Sequence, residues 1–297
     1  MNQNSKIKNI KARRVFDSRG NPTLEVDIIT NNNTIGRAIS PSGASTGSNE
    51  VIEIRDNDSM FAGRDIKDCI KKINNELKKL LVNQSCLDQS NFDYILNTYD
   101  NSKLKTKIGG NVSIALSLAN YICASNFQNK PLYKYCSFED QFKIPKPEIQ
   151  IFGGGAHADN INSFQDFLIF SPKEIEITKF FEMTFDIFNT VKKDLKKNNL
   201  LKGYADEGGF YPSNLTHHEI CNYINNAIEK NKYKIGEDIS ISIDVAANEL
   251  YTTNKYFINK TKYSILDLKQ SYNILNKNYN VKLIEDPFHE ENFNAFT

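Results

Sequence analysis

Two short stretches, each a β-prone run closed by an acid, constrain this chain more than anything else in it. Residues 239–249 read ISISIDVAANE, in which apolar and hydroxyl residues alternate and Asp244 stands where the strand should end. Residues 281–287 repeat the arrangement as VKLIEDP, with Glu285 and Asp286 at the tip. Strands that each deliver a carboxylate at their C-terminal end are what a βα barrel uses to build a metal site. Taken singly, each stretch is more simply an ordinary strand closed by a turn-forming acid. The clusters elsewhere in the chain decide between these readings.

With 297 residues there is room for one large domain or two ordinary ones. A hydrophobic content of 39% and a charged content of 25% fit a soluble globular protein. The net charge of +1 gives no reason to expect nucleic acid or an anionic membrane as a partner. Cys69, Cys86, Cys123, Cys136 and Cys221 are scattered, and no pair has metal-binding or redox spacing. They read as reduced thiols, and the expected location is the cytoplasm. The basic start, MNQNSKIKNIKARRVF, has no apolar run behind it and is not a secretory signal. No segment is long and apolar enough to be expected to span a bilayer.

In chain order, residues 23–29 (TLEVDII), 34–40 and 51–55 (VIEIR) read as strands of an antiparallel meander. Between the last two lies PSGASTGSNE, residues 41–50, small, hydroxylated and glycine-bearing. A segment of this kind cannot pack a core and is expected to be a mobile lid or binding loop. Residues 64–81 place Ile66, Ile70, Ile73, Leu77 and Leu80 on one helical face, with lysines opposite. Residues 112–124 are apolar nearly all round, which predicts a buried helix. Pro131 and the IPKP at 144–147 punctuate the chain, and a domain boundary is expected near residue 140. Beyond it, 148–152 and 166–170 read as strands. Ser171 and Glu174, with Pro172 between them, predict a capping box that opens a helix reaching about residue 197. Thr216 with Glu219, and Ser264 with Asp267, predict two more helix starts, the second weaker because Asp is not the usual partner. Strands and helices in turn, with acids at strand ends, argue for α/β layers.

Two further clusters can carry chemistry. In GGGAHADN, residues 153–160, the glycines let backbone approach a ligand, and His157 can donate a hydrogen bond or move a proton. In GYADEGGFYP, residues 203–212, Asp206 and Glu207 sit in a glycine-flanked turn. Glu207 can serve as a general acid or base if burial raises its pKa, and the DEGG turn by itself is more simply a plain acidic turn. His217, His218 and His289 have no comparable surroundings and are expected at the surface.

These motifs together resemble enolase. The likeness runs through FDSRGNPTLEV (16–26), PSGASTG (41–47), KIGGNVSIALSLA (107–119), HADN, DEGG, SIDVAANELY (242–251) and IEDPF (284–288), in the family's order and spacing along essentially the whole chain. The resemblance implies an α/β protein. A mixed α+β domain at residues 1–140, an antiparallel meander plus helices, is followed at 141–297 by the first half of an enolase-type βα barrel that departs from simple alternation in its first turns. It further implies a lyase that reversibly dehydrates 2-phosphoglycerate to phosphoenolpyruvate in glycolysis with Mg2+. Removing a proton next to a carboxylate creates concentrated negative charge, which divalent cations stabilise. By resemblance, Asp244 and Glu285 are two of the carboxylates that hold the first magnesium. Ser45 reaches the second when the lid closes, Glu207 helps the 3-hydroxyl leave, and His157 belongs to a substrate loop. A homodimer through the N-terminal domain is implied, and display at the cell surface is compatible with the family.

The sequence departs from the family pattern in three ways. Asp166, in QDF, stands where the family has a glutamate on the substrate side, and losing a methylene withdraws the carboxylate by about an ångström or more, a shift that can cost about a hundredfold in rate. GGNV at 109–112 and GGGAHADN are milder variants. The sequence stops at Thr297, whereas a βα barrel takes ~250 residues. The third metal carboxylate, the lysine base and the phosphate grip of the family have no counterpart by motif in residues 1–297. The expectation is an enolase-family polypeptide with little activity as this chain alone. The alternatives are a non-catalytic enolase-derived binding protein and, less favoured, a related enzyme acting on an acid sugar.

Overall fold

The structure, a computed structural model, describes residues 3–43, 45–139, 141–155, 163–259 and 261–297. It divides into two compact units, Met1–Lys143 and Ile144–Thr297.

In the first unit, β1 (Ile7–Phe16), β2 (Pro22–Thr30) and β3 (Ile35–Ile39) form an antiparallel sheet in that order. Leu24, Val26 and Ile28 of β2 alternate into the core, fully buried. The meander therefore begins one strand earlier than its sequence pattern suggests, and 51–55 is not a strand. The backbone of that segment is satisfied in another way. Ile52 N–H donates to the Leu104 carbonyl at 2.8 Å, and the Asn111 amide accepts from Ile54 N–H at 3.3 Å and donates back to its carbonyl at 3.0 Å. β1 is concealed in the sequence by its cations. Arg13 lies opposite Glu25 and bonds both Glu25 and Asp27, while Arg14 forks onto buried Asp65 at 2.8 and 2.7 Å.

The helix expected over 64–81 is α1 (Lys67–Lys72), a π turn (Ile73–Leu77) and α2 (Lys78–Leu81). The wider turn advances the apolar face, so Ile73, Leu77 and Leu81 are buried and Leu80 is exposed. α3 (Gln89–Tyr99), which the sequence pattern did not suggest, and α4 (Gly110–Phe127) complete the core, with α5 (Leu132–Tyr135) after them. α4 packs closely because Gly36 of β3 has no side chain; a Cβ there would collide with the backbone of Ala119 and Cys123.

The second unit runs β4 (Ile149–Gly153), β5 (Asp166–Phe170), α6 (Ile177–Lys197), β6 (Leu201–Tyr204), β7 (Phe210–Pro212), α7 (His217–Lys230), β8 (Ser240–Asp244), α8 (Ala247–Leu250), β9 (Tyr251–Thr252), β10 (Lys255–Ile258), β11 (Thr261–Tyr263), α9 (Ile265–Tyr279), β12 (Val281–Glu285) and α10 (Phe293–Phe296). One sheet has the order β12-β8-β5-β4-β7-β6; β9, β10 and β11 form a small separate one. β12 is parallel to β8 and β7 to β4, but β5 is antiparallel to both its neighbours. β12 and β6 are outer strands, so among the described residues the sheet is an incomplete barrel.

Phe167, Ile169, Ile241 and Ile243 form one buried cluster with Ile187 and Val191 of α6, Ile224 and Ile228 of α7, and Leu268 and Leu275 of α9. The alternate positions, Asp166, Leu168 and Phe170 of β5 and Ser240, Ser242 and Asp244 of β8, face the other way, mostly polar and with the acids at one end. α7 and α9 each open with a reciprocal capping box, and Asp267 serves as fully as Glu219 does. The box expected at Ser171 does not form. α6 starts at Ile177 after Glu176, and the Ser171 hydroxyl donates to the Lys173 carbonyl at 3.1 Å within its own turn.

Candidate active site

The polar face of the large sheet collects carboxylates at one end. Asp244 ends β8, and its partner in β12 is Glu285. Its partner on the other side is Asp166, the first residue of β5. Because β5 runs against β8, its start lies at the C-terminal end of β8. Paired residues lie on the order of 5 Å apart at Cα and project to one face, so three acids stand in a row across three strands. The backbone beyond both strand ends is strained. Ala246 and Asp286 have φ of 47° and 42°, in the left-handed region that residues with a Cβ seldom adopt. Val245 and Ala247 N–H donate to the carbonyls of Glu285 and Asp286, both at 3.1 Å, tying the two turns together.

Asp244 accepts from Ala246 N–H and from the Gln165 side chain, both at 2.9 Å. Burial pushes its carboxyl up to about 6; the Ala246 bond opposes this, and the charges of Asp166 and Asp286 add to it. Burial raises Glu285 too, with the charges of Asp244, Asp286 and Glu148 behind it. Among the described residues no ion pair reaches Asp244 or Glu285. Oxygen donors crowded together, partly desolvated and short of positive charge, fit a hard divalent cation.

Glu207 lies in the tight turn between β6 and β7. Gly208 N–H donates to the Ala205 carbonyl at 2.9 Å, and Ala205 N–H to that of Gly209 at 2.8 Å. Its side chain is exposed. The turn is seated on β4 through Gln150, whose carbonyl accepts from Gly209 N–H at 2.6 Å and whose amide donates to Asp166. Neither Gln150 nor Gln165 was singled out in the sequence. The available signal was a glutamine inside the otherwise apolar run IQIFG, a polar group that must find partners if buried.

Ser45 belongs to the first unit and is half-buried in the irregular segment after β3. There, Gly47 N–H donates to Glu50 at 2.8 Å, and Pro41, Gly43, Thr46, Ile52 and Asn111 help line a cavity of about 500 Å³. His157 lies outside the described residues. The surface placement expected of His217 is wrong: it is buried, its ring stacked on Phe164 at 5.1 Å, and burial, aided by the charge of His218, lowers its pKa to about 4. His218 and His289 are half-buried beside Tyr279 and Tyr251. All five cysteines are free thiols, four of them buried. No described helix is long and apolar enough to cross a membrane.

A second acidic group, Asp56, Asp58 and Asp65, has ligand atoms within 4.8 Å of one another in the first unit. These acids are already engaged. Asp65 is forked by Arg14, Asp56 accepts the N–H groups of Lys67 and Asp68 at 2.8 and 3.1 Å, and Asp58 accepts that of Met60 at 2.8 Å.

Comparison with known proteins identifies relatives of the whole chain. Residues 7–136 match the enolase N-terminal domain, and residues 141–297 match the enolase C-terminal TIM barrel domain. The enolase of Pelagibacter ubique is 38% identical over 296 residues, 99% of this chain and 70% of the relative. That of Legionella pneumophila (strain Lens) is 38% identical over 293 residues, 98% of this chain and 69% of the relative. That of Ehrlichia ruminantium (strain Welgevonden) is 37% identical over 289 residues, 97% and 69% respectively. With both halves matched in order, and a sheet that gathers its acids at one end, the chain belongs to the enolase family, whose members are lyases of the phosphopyruvate hydratase class.

Proposed function

We propose that this site serves the reversible, magnesium-dependent dehydration of 2-phosphoglycerate to phosphoenolpyruvate, and that a polypeptide of residues 1–297 alone does not complete the reaction. The observation that carries the reading is the row Asp166, Asp244 and Glu285 on one sheet face. Asp244 and Glu285 hold the cation, with Ser45 serving a second one. When bound, the cation would stabilise negative charge developing on the substrate carboxylate. Glu207 faces the leaving hydroxyl, His157 contacts substrate, and Asp166 is the substrate-side acid. The near-neutral net charge favours a small-molecule substrate over nucleic acid. The reading extends to a homodimer through the N-terminal domain and a cytoplasmic location.

Turnover fails in this polypeptide for want of a base. The proton beside a carboxylate is very weakly acidic, and general-base catalysis needs a group within hydrogen-bond reach on the proton's side. Glu207 is assigned to the leaving-group side, and no lysine in residues 1–297 matches the family's base by motif. A non-catalytic binding role is the second reading, favoured by the shortened acid at Asp166. Cation binding and phosphoenolpyruvate formation, measured on the 297-residue polypeptide, test both parts. Weak Mg2+ binding lost in Asp244→Asn supports the site, and absence of binding in the parent chain overturns it. Phosphoenolpyruvate formed above a Glu207→Ala control overturns the claim that the chain alone is inactive.

A further inference from the structure

Gln150 is an amide on the sheet's polar face that touches both substrate-side elements. It is 7% exposed and uses both ends of its side chain, donating to Asp166 and accepting from Gly209 N–H at 2.6 Å. The amide cannot be reversed: its oxygen would then meet a carboxylate and its NH2 an N–H, both repulsive. Its setting is built for it. The pairing of β4 with β5 shifts register between Gln150 and Phe152. A Cβ on Gly209 would collide with the Gln150 amide, and a Cβ on Gly153 would collide with Ala205 at the start of the DEGG turn.

We propose that Gln150 is a positioning residue that couples the Asp166 carboxylate to the turn carrying Glu207, so that the two acids are placed as one unit. This deepens, and rests on, the reading of Asp166 and Glu207 as the substrate-side acids. A hydrogen bond to a charged acceptor is stronger than a neutral one, so Asp166 fixes the rotamer of Gln150, and Gln150 in turn fixes Gly209. Asp166 carries its carboxylate close to the strand, and the longer Gln150 side chain is what reaches it. The coupling also defines a cost at the far end, since freeing Asp166 should loosen, through Gln150, the turn that ends at Gly209.

Amide hydrogen exchange on the folded 297-residue polypeptide reads the coupling at Gly209, without any need for turnover or bound metal. Gln150→Leu should speed Gly209 exchange on the order of tenfold or more. Asp166→Ala should speed it several-fold in the parent chain and add nothing in the Gln150→Leu background. Asp166→Asn, which keeps an oxygen acceptor for the amide, should restore most of the protection. Gly154, whose N–H donates to the Gln165 carbonyl at 2.7 Å, is the internal control and should not change. Unaltered Gly209 exchange in Asp166→Ala, or an equal effect in both backgrounds, would overturn the proposal. If Gln150→Leu does not fold, the comparison of Asp166→Ala with Asp166→Asn still decides it. A chain that binds no cation yet shows this coupling would sink the functional reading and leave the coupling standing.

Discussion

Asp244 is the residue at which the electrostatics of the site act on stability. Its carboxyl, held up to about 6 mainly by burial, binds a proton more tightly in the folded chain than in the unfolded one. Its contribution is therefore fully present below about pH 4 and is lost as pH rises towards 6. Asp244→Asn should flatten that window and stabilise the metal-free protein at pH 7 by on the order of 1 kcal/mol, after allowance for solvent screening. Urea titrations of both proteins across pH 4–7 check this, and parallel curves would contradict it. Asp27 works in the opposite sense. Burial opposes its ionisation, but hydrogen bonds from Arg37 and Arg13 outweigh it and hold the carboxyl down to about 2, so its contribution is present at neutral pH and lost as pH falls from about 4 towards 2.

At the scale of the element, α7 depends on its first turn. Thr216 and Glu219 satisfy each other's backbone N–H groups, at 3.3 and 2.8 Å. Thr216→Ala should cost about 1 kcal/mol, read as a lower urea midpoint at unchanged slope. β8 is more demanding, because Ile243 is 1% exposed between sheet and helices. Ile243→Ala should cost about 2–5 kcal/mol by thermal or chemical unfolding. The segment carrying Ser45 lies at the other extreme. Its described residues have no regular structure and few backbone hydrogen bonds, so the amides of Gly43, Ser45 and Thr46 should exchange fast without ligand. Strong protection there would contradict its reading as a lid.

For the whole molecule, the expectation is weak binding of magnesium by a 297-residue polypeptide and no measurable product. A hard dication needs several oxygens in a near-octahedral array, and the two carboxylates assigned to it fill only part of one. Asp166→Glu should not rescue turnover, because lengthening that acid supplies no base. A coupled assay with and without Mg2+ decides this. The addition of a polypeptide that brings the remaining barrel strands is the arm expected to restore activity.

Much of this was legible in local sequence because the patterns concerned are local. The alternation that makes β8 and β12, the acid at each strand end, and the two capping boxes all involve residues within a few positions of one another. Where the local pattern misled, a distant partner had intervened. Asn111 satisfied 51–55 in place of a strand, and acids on the neighbouring β2, with Asp65, paired the cations that concealed β1; a π turn within the helix itself exchanged Leu80 for Leu81. The acids were visible one by one, but the row Asp166–Asp244–Glu285 was not. It exists because β5 runs against β8 while β12 runs with it, and strand direction is set by long-range pairing that no short window of sequence contains. For the same reason the groups available for chemistry can be read from the chain's residues, whereas the bridge of Gln150 from Asp166 to Gly209 across the sheet exists only once the strands have paired.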